Sequence, residues 1–406
     1  MPTIRQISVT SLEHQKLLDL KNLDEDYRER PMGEYVSNRI LKGYLRSQSL
    51  TETVGQRISR STQKGLAIIW FENFYANIAL GHFGDVNVLM KHLDDQLKEH
   101  GEEYYRDNPE QSMPTLTNEL RQARSIANIP KRTNRPCIIV AAGPSIKKHN
   151  HIELLAKSEW KGPILATDRM LKPLLEAGVS PESGYDLMVA GVDGHRIVIP
   201  KWYRDDQGNP IHAEGVTGMF CSTTAPQAII AAKQAGVDTY FFHGLFDDFF
   251  SNDSVSGAME YMVKLPAISA GGNIGAANWT LSLYLRCNPI IFTGFDLGYN
   301  MDTPIEETAY YHKLTVGGAT PATIEPMFNI GFNPDFGVQY RQDPVFKHYK
   351  DGFISMLETQ SRELSVGLPD AYPLTTINAT ESGSMHHPTL VKGMTLRQVI
   401  EEYGDK

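Results

Sequence analysis

The chain has 406 residues, 41% hydrophobic and 21% charged, a balance typical of folded globular proteins and far from a disordered composition. At about 150 residues per domain this length allows two or three domains with ample material for a core. The formal net charge of -9 excludes a general nucleic-acid binder, which needs a concentrated surplus of Lys and Arg, but leaves room for a pocket that takes one nucleotide.

The N-terminus, "MPTIRQISVTSLEHQKLLDL", has no basic segment followed by a long apolar run, so no secretory signal is expected. The most apolar stretch, "GLAIIWFENFYANIALG" at 66–82, holds Glu72, Asn73 and Asn77 and reads as an amphipathic or core helix, not a membrane span. Cys137, Cys221 and Cys287 lie far apart in apolar settings without metal-ligand spacing, as expected of buried thiols in a reducing compartment. A cytoplasmic protein with no membrane partner is the expectation. Residues 1–133 are predicted to be mostly helical, as in "NVLMKHLDDQLKEHG" with Gly101 as its stop. The proline-containing stretch 106–119 reads as a linker, and "NIPKRTNRP" at 128–136 as the entry to a new domain.

From residue 137 short apolar runs alternate with helical patterns. Strands are predicted at 137–142, 163–167, 185–192, 217–222, 239–244 and 289–294, with well-delimited helices at 225–236 and 273–287. This pattern predicts an α/β fold over 134–300, an open, doubly wound, Rossmann-like parallel sheet. Residues 301–406 are irregular, with a helix at 346–364, a short strand in "LTTINAT" and a closing helix in "TLRQVIEEYG". They are expected to complete the site or to contact a partner or another subunit.

Ligands of doubly wound sheets bind beyond the carboxyl ends of the strands. Those ends are Gly143-Pro144-Ser145, Thr167-Asp168-Arg169, Asp193-Gly194-His195, Ser222-Thr223-Thr224, His243-Gly244 and Phe295-Asp296. The Gly143 turn is neither a dinucleotide fingerprint nor a phosphate loop. It is either a strand-to-helix corner or a place where backbone approaches a ligand, with Ser145 capping the next helix or holding a phosphate. Asp168, Asp193 and Asp296 serve as turn caps, or one or two of them hold Mg2+ together with substrate phosphates. His195, His243 and His312 are candidate acid–base groups with a structural role as the alternative, and His386-His387 reads as surface or subunit contact. Ser269 to Asn273, before a helix, suit ligand contact, whereas Gly275, Ala276 and Ala277 suit packing.

The ordered segments "IIVAAGPSIKKH", "ILATDRMLKPLLEAGVSPE", "GGNIGAANWTLSLYLRCNPIIFTGFDLGY" and "TINATESGSM" resemble the central domain of the bacterial motility accessory factors. That domain is grouped with archaeal 6-hydroxymethylpterin diphosphokinase-like proteins. The resemblance spans roughly 137–390 and, more weakly, "WFENFYANIALG". Motility accessory factors are implicated in placing nonulosonic, sialic-acid-like sugars on flagellin, and their central domain is similar to sialyltransferases that use CMP-activated donors. The resemblance therefore implies that Gly143, Pro144, Ser145, Ser269, Gly271, Gly272, Asn273, Asp296 and Tyr299 face a nucleotide, and Thr167 at the end of the second strand is expected to join them. Asp168, Asp193 and Asp296 would orient the donor or bind Mg2+, and His243 or His312 would act as base toward a hydroxyl on a protein or glycan acceptor. The alternative is ATP- or GTP-dependent diphosphate transfer to a hydroxymethylpterin. Against it, "GVDGH" keeps only Asp193-Gly194 of that branch's acidic motif, and "FFHGLFDD" is a partial match to its His-Gly-Asp-Asn motif. A non-catalytic Rossmann-like interaction module is the third reading.

Overall fold

The structure, a computed structural model, describes residues 69–83, 124–245, 254–263, 265–316, 318–366 and 371–404. The expected helix at "NVLMKHLDDQLKEHG", the linker at 106–119 and most of the helical region 1–133 lie outside the described residues.

The uninterrupted apolar runs form strands buried on both faces: β1 (Cys137–Val140), β2 (Pro163–Thr167), β3 (Asp186–Gly191), β4 (Thr217–Cys221) and β5 (Asp238–Gly244). A two-residue β6 (Ala267–Ile268) follows, then β7 (Ile290–Thr293), and later β8 (Tyr299–Asn300), β9 (Asn329–Asn333), β10 (Val338–Gln342), β11 (Thr376–Asn378) and β12 (Lys392–Gly393). The main sheet has nine parallel strands in the order β12-β11-β7-β1-β2-β3-β4-β5-β6. This is the α/β, Rossmann-like arrangement read from the sequence. Its β11 and β12 come from beyond residue 300, and a separate antiparallel sheet, β8-β10-β9, has no counterpart among the sequence-based expectations.

The helices are α1 (69–79), α2 (Ser145–Lys148), α3 (His151–Ala156), α4 (Asp168–Glu176), α5 (Pro226–Gln234) and α6 (Val255–Met262). They continue with α7 (Ile274–Tyr284), α8 (Ala309–Val316), α9 (Pro321–Ile324), α10 (Pro344–Ser365) and α11 (Leu396–Tyr403). Alternation along the strands divides the interior into two cores. Ile138, Val140, Ile164 and Val189 meet α1, α4, α5 and α11 on one face. On the other, Ile139, Leu165, Met188 and Phe292 meet Trp279 of α7 and Phe353 of α10. Trp279 and Phe353 contact edge to face, with ring centroids 5.6 Å apart. All three cysteines are buried and free, and among the described residues no helix is long and apolar enough to cross a membrane.

The polar residues of α1 explain its place. Asn73 Nδ2 donates to the carbonyls of Gly194 (3.0 Å) and Thr223 (3.1 Å). One turn later Asn77 Nδ2 donates to those of Ser222 (3.0 Å) and Thr224 (2.9 Å). Both asparagines are fully buried, and with Phe71 and Phe74 in the core they fasten α1 over the loops that follow β3 and β4. Asn77→Leu leaves two buried carbonyls without this donor, and a loss of roughly 1–3 kcal/mol is expected in the denaturant midpoint. An unchanged midpoint would show that α1 is held by its apolar face alone.

Candidate functional site

At the carboxyl ends of the central strands lies a cavity of about 660 Å³. Asp168 faces it from the end of β2, and Asp193 and Gly194 from the loop after β3. Ser269 to Ile274, the lead-in to α7, form a third side, Trp70 of α1 a fourth, and His348, Tyr349, Gly352, Ser355 and Met356 of α10 the cover. Among the described residues its lining includes two carboxylates and one imidazole but no Lys or Arg.

Asp168 is 8% exposed and stands at the first position of α4, where its Oδ1 accepts the N–H of Arg169 at 2.8 Å. Burial pushes its carboxyl up to about 7, against the pull of that N–H, and the nearby Asp193 carboxylate pushes the same way. Behind it Tyr203 is fully buried, its hydroxyl without a hydrogen-bond partner among the described residues and its phenol raised by burial and by Asp168. Asp193 is exposed, and its Oδ1 accepts the N–H of His195 at 2.8 Å, which sets the turn after β3. At the α7 lead-in Gly271 and Gly272 take φ of +56° and +79°, a region that favours glycine. Asn273 then caps α7, its Oδ1 accepting Ala276 N–H at 3.0 Å. The small residues thus make the turn that brings this helix end to the cavity.

Other expected nucleotide contacts lie elsewhere. Gly143 N–H donates to Gly294 at 2.9 Å, and Ser145 Oγ donates to Asp296 Oδ2 at 2.7 Å. Ser145 is fully buried and Asp296 4% exposed, and the chain's own C-terminal segment covers them, with Ser384 N–H bonded to the Asp296 carbonyl at 2.7 Å. Burial lifts the Asp296 carboxyl to about 6, while the Ser145 hydrogen bonds pull it down. Neither Gly143, Pro144 and Ser145 nor Asp296 lines the cavity, so the close approach at Gly143 is to β7's own turn and to Asp296. Asp168, Asp193 and Asp296 do not converge, since β1 separates the β7 end from β2. Among the described residues no group of three or more His, Cys, Asp or Glu is placed to hold a metal ion. As a three-carboxylate set these aspartates do not fit Mg2+.

Tyr299 donates to Asp343 Oδ2 at 2.8 Å, and Asp343 caps α10 through the N–H groups of Val345 and Phe346. Its role here is to hold α10 in place. Thr167 is buried at the end of β2, and its hydroxyl has no partner among the described residues. His243 corrects the expectation of a base: it is fully buried, with Nε2 donating to the Val263 carbonyl at 2.6 Å and Nδ1 accepting from Ser222 Oγ at 2.7 Å. His312 is exposed on α8 and does not line the cavity. Trp70, His348 and Tyr349 escaped the sequence reading. Gly352, inside an otherwise helical run, and the helical spacing of 348, 349, 352, 355 and 356 were the available signals.

Residues 110–302 match the profile of the family described as 6-hydroxymethylpterin diphosphokinase MptE-like. Over this central segment the chain is similar to that family. No curated protein matches the chain at a significant level. The MptE-like segment contains Asp168, Asp193 and the α7 lead-in, whereas Trp70 precedes it and α10 follows it. The match points to a nucleotide-related transferase or kinase-like role.

Proposed function

We propose that the chain is a nucleotide-dependent transferase, and more specifically a glycosyltransferase that moves a nonulosonic-type sugar from a CMP donor to a hydroxyl on a protein or glycan. The observation that supports this most is the pairing of a buried carboxylate poised near neutrality, Asp168, with a cavity lining free of Lys and Arg among the described residues. A triphosphate brings several negative charges that such a lining does not offset. A CMP-sugar brings fewer, and the N-terminal end of α7 offers its phosphate partial positive charge.

In this reading Asp168, ionised, takes the proton from the acceptor hydroxyl, a task suited to a base whose pKa lies near the working pH. The oxygen attacks the sugar's anomeric carbon as the bond to the CMP phosphate breaks, CMP leaving with the bonding electrons. Trp70 and Tyr349 limit water at the reacting centre, and Asp193 orients the donor. No step is routed through a metal.

The test is to incubate the protein with a CMP-nonulosonate and a hydroxyl acceptor and to measure CMP release that depends on the acceptor. The family description favours a second reading, diphosphate transfer from ATP to 6-hydroxymethylpterin. AMP formed from ATP only when the pterin is present would establish that reading instead, and no binding of either nucleotide would sink both.

Gly352 supplies a further prediction, because a β-carbon added there meets nothing within 4 Å. Gly352→Ala is expected to raise stability by about 0.5–1 kcal/mol through helix propensity. Gly352→Leu is expected to intrude into the cavity and weaken CMP-sugar binding at least about tenfold in calorimetric titration, a shift of roughly 1.4 kcal/mol. Unchanged affinity in the leucine variant would move the ligand out of this cavity.

A further inference from the structure

Among the described residues the antiparallel sheet ends on β9, which pairs with β10 on one side only. Ile330 and Phe332 share one face of β9 and are 64% and 60% exposed, and Met327 just before the strand is 44% exposed. Sheet edges are commonly blunted by Lys, by Pro or by a bulge. Residues 329–333 contain no charged residue and no proline, and their register with β10 runs without a bulge.

The strand's sequence, Asn-Ile-Gly-Phe-Asn, is close to symmetric about Gly331. If two copies pair antiparallel around a two-fold axis at Gly331, Ile330 stands opposite the partner's Phe332, and Phe332 opposite the partner's Ile330. The four exposed apolar side chains then lie on one face as branched-aliphatic and aromatic pairs, a favoured cross-strand combination. The pairing is isologous, so a single patch serves both subunits and the assembly closes. On β10, Arg341 and Gln339 are in register with Ile330 and Phe332 and give the strip a polar border. Asn333 is fully buried and donates to the carbonyls of Gly383 and Met385, which confines the shared ladder to the middle of the strand. A ladder that short suits a dimer that forms and dissociates with concentration.

We propose that β9 is the interface of a two-fold homodimer in which the two three-stranded sheets join into one of six strands. Sedimentation across a concentration series is the test, and wild-type protein is expected to move from one to two chain masses. Ile330→Lys alone and Phe332→Glu alone are each expected to weaken the dimer at least about tenfold. The double variant Ile330→Lys with Phe332→Glu sets Lys opposite Glu twice in this register and is expected to restore it. Both side chains are exposed, so circular dichroism should be the same for all four proteins. Wild-type protein that stays monomeric throughout, or a double variant as monomeric as the single ones, overturns the proposal.

Discussion

Asp168→Asn is expected to abolish transfer and, at neutral pH and above, to make the fold more stable. The carboxyl is buried, receives one backbone N–H and lies near a second carboxylate, so its folded-state pKa of about 7 stands well above the ordinary aspartate range. A raised pKa means that the folded state binds the proton more tightly than the unfolded chain does. The contribution of this carboxyl to stability is therefore most favourable below about pH 4, where both states are protonated, and falls as pH rises toward 7. The full penalty corresponds to something on the order of 4 kcal/mol. Asparagine keeps the acceptor for Arg169 N–H and removes the charge, so it recovers part of that amount.

Thermal midpoints of wild type and variant should nearly coincide near pH 4 and separate in the variant's favour near pH 8. Acceptor-dependent CMP release should drop by at least about a hundredfold, the usual scale for losing a general base. A variant that still transfers would remove Asp168 from the chemistry, and one that is less stable at alkaline pH would mean that the carboxylate is held by a favourable partner.

Gly143→Ala is expected to damage the fold rather than a ligand contact. A β-carbon at Gly143 would run into the Asp296 carboxylate and the Gly294 carbonyl. One of these is backbone and the other is a buried side chain engaged with Ser145, so neither can yield cheaply. Overpacking of this kind costs typically about 1–3 kcal/mol, and a value at or beyond the upper end is expected because β1 and β7 meet there. Chemical denaturation measures it. A variant with wild-type stability but no nucleotide binding would return Gly143 to the ligand site.

Both predictions turn on how much the strand ends reveal in advance. "PILAT" lies between Gly162 and Asp168, and β2 occupies those same five residues. The central strands are long apolar runs between turn signals, so composition alone defines them. β6 and β12, two residues each, exist because a neighbouring strand offers hydrogen bonds, which local sequence does not encode. The polar residues after the strands were legible as a group, but the order of the strands was not. With β1 between β7 and β2, Asp296 meets Ser145 while Asp168 faces the cavity alongside Asp193. His243 shows a second limit. Being at a strand end says little about which way the ring points, and here it packs at 5.9 Å from Phe74 in the core. Trp70 and the α10 face were hidden by distance along the chain, since only folding brings residues 70 and 349 to one cavity.

The origin of those walls has a consequence for how such a protein changes over time. The floor of the cavity, with both of its carboxylates, is encoded within 110–302, but Trp70 and the α10 cover are contributed by the flanks. Under the proposed function, reactivity and selectivity would thus be inherited through different stretches of the chain. On that reading, recombination that exchanges either flank would present a new acceptor to the same two carboxylates, and the C-terminal flank would carry the sheet strands β11 and β12 with it.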